Sequence, residues 1–377
     1  MDNKKKILLG LGIVVLLAVG VAAVVLNMKK VEKINEDLKT TTTTTKKAEE
    51  KPIDVQPSVQ KGMLVTSLED TFKENAAWCG TFNMIWNDLR DNIAKTDIVW
   101  TDDEMTSAVK NLNKGTFTTK SLNESSYYKI YDHPSPELKT KIEKAIKDKF
   151  NQTSDILDEF DWTPDETAWF LYTMLYKEFK FAKPFDKLLK QPFNGSKELY
   201  DYFGIDDESD KALYKNVSLR QYTDDDHFIV KLNTTGDDEI FVYKGFTETN
   251  FLDAYNTVKE ADSKEIAYEF GEGDTFKMPA FKTNFIEEID EVTNKPFSFS
   301  DGSEYLISKA MQTLKLEINN EGGKVKSEAA MIVEKNVAAP SNSKHLNVNK
   351  DFILFIREKG KDLPYVAIRV NDISLFK

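Results

Sequence analysis

The sequence predicts an α+β domain with large antiparallel or mixed sheets, on three observations. Apolar residues recur at helical spacing between Trp78 and Phe150; strand-like runs accumulate after Pro164; and few strands and helices alternate as βαβ units would require. The 377 residues are 40% hydrophobic and 11% aromatic, enough for one large domain or two ordinary ones, and most of the chain is too apolar for disorder.

Ile7 to Leu26 carries no charge over a length that matches a bilayer core of roughly 30 Å at the helical rise. Lys4 to Lys6 precede it, so residues 1–6 are expected to form a cytoplasmic tail, 7–28 a transmembrane signal anchor, and the rest to lie outside the cell. A cleaved signal peptide, with Ala18, Gly20, Ala22 and Ala23 as small residues, is the alternative, and it secretes the same domain. Residues 29–62, with the run Thr40 to Thr45, hold scarcely any apolar residue and read as a flexible Thr/Lys/Glu-rich linker. The folded domain is expected over 63–377.

Within it, Trp78, Phe82, Ile85, Trp86, Leu89 and Ile93 predict an amphipathic helix. Thr101 with Glu104 has the form of a capping box, followed by Met105, Ala108, Val109 and Leu112 as a buried face. Ser135-Pro136-Glu137 opens a third helix over Leu138, Ile142, Ala145, Ile146 and Phe150. Ala168 to Phe181 is an apolar and aromatic run suited to a central strand covered on both faces. Further strands are expected at 227–232, 239–245, 276–281, 314–318, 351–356 and 364–370.

Charge and chemistry exclude more than they assign. With 51 Lys+Arg against 63 Asp+Glu the net charge is -12, which repels a phosphate backbone, so no nucleic acid partner is expected. The single cysteine, Cys79, permits no intramolecular disulfide and is expected to be a small buried apolar residue. His133, His227 and His345 have no second ligand at metal spacing. The acidic runs at 102–104, 206–210 and 224–226 lack the glycine and terminal Glu of a calcium loop and read as solvated turns. Gly271-Glu272-Gly273 makes no phosphate cradle. No metal, cofactor or catalytic residue is implied.

One stretch stands apart. From Gly323 to Val333 every second residue is small or apolar (Gly323, Val325, Ser327, Ala329, Met331, Val333), with Lys324, Lys326 and Glu328 between them. That is the period of a half-buried strand, yet it runs into a loop-like segment, 336–349, containing Pro340.

GTFNMIWNDL (80–89) resembles the first long helix of the serpin family, and KIEKAIKDKFNQTSDILDEF (141–160) a later helix and turn of it. WFLYTMLYKEFKFAKPF (169–185) resembles the family's central strand, and FKMPAFKTNF (276–285) its Leu-Pro-x-Phe segment. SKAMQTLKLEINNEGG (308–323) is similar to the run leading into the reactive loop, and NKDFILFIREKGKDLPYVAIRV (349–370) to the closing strands. The chain departs from the pattern at Thr173-Met174, at Lys177 where the family has Phe, at Ile368 where it has Gly, and at the absent Ser-Pro-x-Ser-Ile motif near 98–107.

The resemblance implies a serpin-like fold with a large mixed central sheet, additional sheets, N-terminal helices and an exposed reactive loop. It implies that a target protease cuts the loop and that the hinge side then enters the main sheet as a strand. A segment living first in solvent and then between strands needs small or apolar side chains on one face, because burying a lone Lys costs several kcal/mol. The hinge is then Glu321, Gly322, Gly323, Ser327, Glu328, Ala329 and Ala330, and the scissile candidates are Pro340, Ser341, Asn342 and Lys344. Pro before the cut suits elastase- or subtilisin-like targets, and Lys344 a trypsin-like one. Met331 and Ile332 are bulkier than the family's alanines, which would slow insertion. The expected protein is a membrane-tethered, extracellular, monomeric inhibitor of serine proteases that is not itself an enzyme; the alternative is a non-inhibitory serpin-fold surface binding protein. A gap in the large sheet beside Trp169 to Phe181, with residues 323–348 outside it, is the structural expectation that follows.

Overall fold

Runs of β-branched and aromatic residues with little charge between them can be buried on both faces, and they occupy the centre of the largest sheet. The structure, a computed structural model, describes residues 63–102, 104–265, 268–322 and 343–376. Six strands pair antiparallel in the order β1 (Ala76–Cys79), β16 (Val366–Val370), β15 (Phe352–Glu358), β8 (Asp238–Lys244), β7 (His227–Asn233) and β6 (Val217–Asp224). β15 is buried throughout, with Leu354 opposite Val242 on one side and Ile368 on the other.

A second, mixed sheet has the order β14 (His345–Asn347), β9 (Thr275–Pro279), β5 (Leu199–Ile205), β4 (Asp186–Pro192). Its β14 and β9 run parallel and the other neighbours antiparallel. Among the described residues, three ladders of two strands complete the β structure: β2 (Tyr127–Asp132) with β3 (Phe170–Leu175), β10 (Phe281–Glu288) with β13 (Met311–Ile318), and β11 (Pro296–Ser298) with β12 (Glu304–Leu306).

Helices α1 (Thr81–Asp88), α2 (Ser107–Asn113) and α3 (Pro136–Phe150) precede most strands, and α4 (Phe251–Ser263) follows β8. α1 continues as a π-helical turn through Ala94 and stops at Lys95, whose φ of 58° is left-handed. α3 begins as its sequence dictates, the Leu138 N–H donating to Ser135 Oγ at 3.1 Å. α4 is capped by Asn250, whose Oδ1 accepts from the Asp253 N–H at 2.8 Å. The architecture is α+β.

Three apolar cores result. The main one joins the six-stranded and four-stranded sheets with α4 and includes Leu314 and Ile318 of β13. A second packs α1 and α2 against the β11–β12 hairpin through Phe82, Trp86, Val109 and Phe297. The third is local: Leu138, Ile142 and Ile146 of α3 cover Phe170 and Tyr172 of β3. The β2–β3 ladder thus carries its own small core, whereas β13 is part of the main one.

Several expectations need correction. Trp78 belongs to β1, not to the helix, because its indole packs under the six-stranded sheet, edge-on to Phe117 at 5.1 Å. The cap of α2 is Thr106, whose Oγ1 accepts from the Val109 N–H at 3.3 Å, and not Thr101. The strand expected over Ala168 to Phe181 is confined to Phe170–Leu175, with Phe170 and Tyr172 buried and the other four residues half-buried, since one of its edges and part of one face border a cleft. The tail 1–6, the anchor 7–28 and the linker 29–62 lie outside the described residues; among those described, no helix is long and apolar enough to cross a membrane.

Candidate functional site

A vacancy lies beside residues 169–181, but not in the largest sheet as expected: β3 belongs to a two-stranded ladder apart from the six-stranded sheet. Among the described residues β3 pairs with β2 alone and β13 with β10 alone, and between β3 and β13 lies a cleft of about 1240 Å³. Leu171, Thr173 and Leu175 line one wall, Gln312, Leu314 and Leu316 the other, and Cys79, Ile356 and Val366 are also in its lining. Two buried polar atoms on opposite walls have no partner, Thr173 Oγ1 and Gln312 Oε1. The Gln312 amide nitrogen, by contrast, donates to the Cys79 carbonyl at 2.9 Å, tying β13 to β1. Unpaired strand edges and idle hydrogen-bonding groups are what a strand acceptor offers.

Beyond the two strands, the segments that follow β3 and β13 are joined to each other. The Phe181 N–H donates to the Glu321 carbonyl at 3.1 Å, the Phe185 N–H to the Asn320 carbonyl at 2.8 Å, and Lys180 bridges Gly322. Gly322 has φ +130°, and a Cβ there would stand 2.3 Å from the Phe179 carbonyl oxygen, so no other residue lets the chain pass this close. Glu321 and Gly322, expected as hinge residues, thereby sit beside Phe179, which is in the lining of the cleft. Gly323, Ser327, Glu328, Ala329 and Ala330 lie outside the described residues, as do Pro340, Ser341 and Asn342.

The far end of the loop is tied down. The Lys344 N–H donates to Asp274 Oδ1 at 2.7 Å, its carbonyl accepts from the Thr275 N–H at 2.9 Å, and its Nζ stands 4.3 Å from the Tyr222 ring centroid. Lys344, alone of the four scissile candidates in the described region, has its carbonyl engaged by the four-stranded sheet. Beyond it, the buried ammonium of Lys244 donates to the Asn347 carbonyl at 2.7 Å and pairs with Asp226 at 2.8 Å. Asp226, between Lys244 and Lys350, has its carboxyl held down to about 2.

A polar cluster that sequence reasoning missed sits just past β3. Lys177 Nζ lies 2.7 Å from Asp238 Oδ1 and 2.7 Å from Glu358 Oε1. Tyr365 Oη donates to Asp238 at 2.9 Å, and the Asn123 N–H and Ser126 hydroxyl donate to Glu358. Burial raises the Asp238 carboxyl, Lys177 and Tyr365 only partly offsetting it. Burial also pushes Glu358 upward, but Lys177, Ser126 and Asn123 together outweigh it and the carboxyl lies below its ordinary range. Burial likewise raises the Cys79 thiol, and the side chain is 3% exposed, as its apolar neighbours suggested. The one signal for the cluster was a Lys where the resembling pattern has Phe; its partners, 61 and 181 residues away, give none.

Among the described residues no group of three or more His, Cys, Asp or Glu could hold a metal ion. A scan of protein-family models and a search of curated proteins gave no match. Solved structures do resemble the chain. Serpin48, a highly specific serpin of the insect Tenebrio molitor, shares 14% identity over 79% of this chain and 92% of its own, with a TM-score of 0.47. Human glycosylated kallistatin gives 10% over 72% of each chain at 0.42. Thyroxine-binding globulin in complex with thyroxine gives 12% over 80% of this chain and 93% of its own at 0.44.

Proposed function

We propose that the chain is a serpin-type inhibitor of serine proteases, in which a protease cuts a loop within 323–342 and the hinge side then enters the cleft between β3 and β13. The observation that carries this reading is the cleft itself: two strand edges, each without a partner on that side among the described residues, flank about 1240 Å³ and end at Gly322, where the alternating segment departs. The pattern from Gly323 to Val333 suits that destination, with Val325, Ser327, Ala329, Met331 and Val333 turned one way and every Lys and Glu the other. The target supplies the nucleophile, so the inhibitor needs neither catalytic residue nor cofactor.

With this reading go a placement outside the cell on an N-terminal anchor and targets of elastase- or subtilisin-like preference at Pro340 to Asn342. The cut then lies more than fifteen residues beyond Gly322, long enough for a full strand to enter. Mixing the folded domain with such a protease is expected to give a complex that survives denaturing electrophoresis. Cleavage in 323–342 without that complex sinks the inhibitory reading and favours a non-inhibitory surface binding protein, an outcome to which the bulk of Met331 and Ile332 points.

A further inference from the structure

The two walls of the cleft are held very differently. β13 is continuous with the main core through Leu314 and Ile318 and is tied to β1 through Gln312. The β2–β3 ladder packs on α3 in a small core of its own, with Leu171 against the α1 core, Tyr127 and Leu175 against the main core, and Lys129 paired with Asp88 of α1 at 2.7 Å. Two ties join the segment between α3 and β3 to the opposite wall, Lys315 with Asp155 at 2.7 Å and Lys309 Nζ with the Glu159 carbonyl at 2.7 Å, and both are exposed. Such pairs hold little. The buried polar attachment of the ladder to the six-stranded sheet is the Lys177 cluster.

That cluster has the form of a socket. Asp238 and Glu358 are directly opposed across the β8–β15 ladder, and they are 3% and 0% exposed. Like charges so placed repel, and in a buried setting the repulsion is severe unless a cation stands between them. Lys177 is that cation, and it comes from the end of β3, not from the sheet that holds the carboxylates. Glu358 also takes the Asn123 N–H and the Ser126 hydroxyl, from the segment that enters β2, so both strands of the ladder meet one carboxylate at the same end, where Tyr127 lies opposite Leu175. The lysines next along the chain point elsewhere, Lys359 to the Gly236 carbonyl and Lys361 to the Leu122 carbonyl. Three residues past Lys177 the chain bridges Gly322, so the socket and the hinge share one short segment.

We propose that Lys177, seated between Asp238 and Glu358, is a latch that fixes the β2–β3 wall to the six-stranded sheet and so governs the opening of the cleft. The inference rests on the reading of the cleft as the loop's destination. It adds a specific positioning residue: the wall moves only if the ammonium leaves two buried carboxylates facing each other. A Phe at this position, as the resembling pattern has, would impose no such condition.

Cys79 lines the cleft and is the single cysteine, so its rate of labelling by a small thiol reagent in native buffer reports opening. Lys177→Met is expected to raise that rate at least tenfold, and Lys177→Arg to restore it to within threefold of the parent. Because the first variant strands two carboxylates, a second combines Lys177→Met with Asp238→Asn and Glu358→Gln, which removes the latch without leaving a buried charge. It is expected to fold and to label as fast. A labelling rate unchanged in the triple variant, or one that rises only in proportion to a fall in global stability measured by denaturant, overturns the latch. A peptide of sequence 323–334, added in a separate arm, tests the destination reading independently: it should protect Cys79, and its failure to do so counts against strand entry while the peptide-free rates still decide the latch.

Discussion

The six-stranded sheet and the pair of ladders around the cleft are built from similar residues and are completed differently. In the sheet, β15 has a partner on each side and every one of its seven residues is buried. In the ladders, β3 and β13 each have one partner among the described residues, and Thr173 and Gln312 keep unsatisfied buried atoms. The difference teaches where this molecule keeps its stability and where it leaves bonding capacity unspent.

The contrast can be broken from either side. Phe355→Ala in β15 removes a ring packed edge-on against Tyr255 at 5.3 Å and Phe251 at 6.2 Å, and it is expected to cost about 3 to 5 kcal/mol in denaturant unfolding. Gly322→Ala sets a methyl against the Phe179 carbonyl at a φ of +130° and is expected to cost about 1 to 3 kcal/mol, with the hinge amides near Phe181 losing exchange protection first. Thr173→Val has the opposite sign: replacing a buried hydroxyl without a partner by a methyl should raise stability by about 1 kcal/mol. A loss of similar size at that position would mean that the cleft wall is not idle.

The smallest effect is at the loop's far end. Asp226 is held near 2 by Lys244 and Lys350, so its contribution is fully present above its ordinary value of 3.8 and is lost as pH falls through about 2. The side chain is 49% exposed, so after solvent screening the contribution is less than about 1 kcal/mol. Asp226→Asn should lower stability by that amount at pH 7, leave it unchanged below pH 2, and so remove the slope between pH 4 and 2.

Much of the closed sheet was legible. β7, β8, β15 and β16 are runs of β-branched and aromatic residues at the expected places, because central strands must be apolar on both faces. Edge strands carry no such obligation, and β4, written DKLLKQP and largely exposed, passed unnoticed. α4 was missed although Asn250 and Asp253 form a cap, since its buried face, Phe251, Ala254, Tyr255 and Val258, is short and set among charges. Trp78 was misplaced because helical spacing of aromatics does not stop at a strand–helix junction. At the site, the expectation for Glu321 and Gly322 came from the residues around them, whereas Lys177, Asp238 and Glu358 are brought together only by topology.

The central claim is that the cleft is a place for a strand of this same chain. Its most direct test is the thermal midpoint of the folded domain before and after a single cut within 336–342, with the fragments left together. Burying the inward side chains of residues 323–333 is worth about 5 kcal/mol, so the midpoint should rise by about 10 °C or more. A midpoint that stays where it was, or falls, would contradict the account.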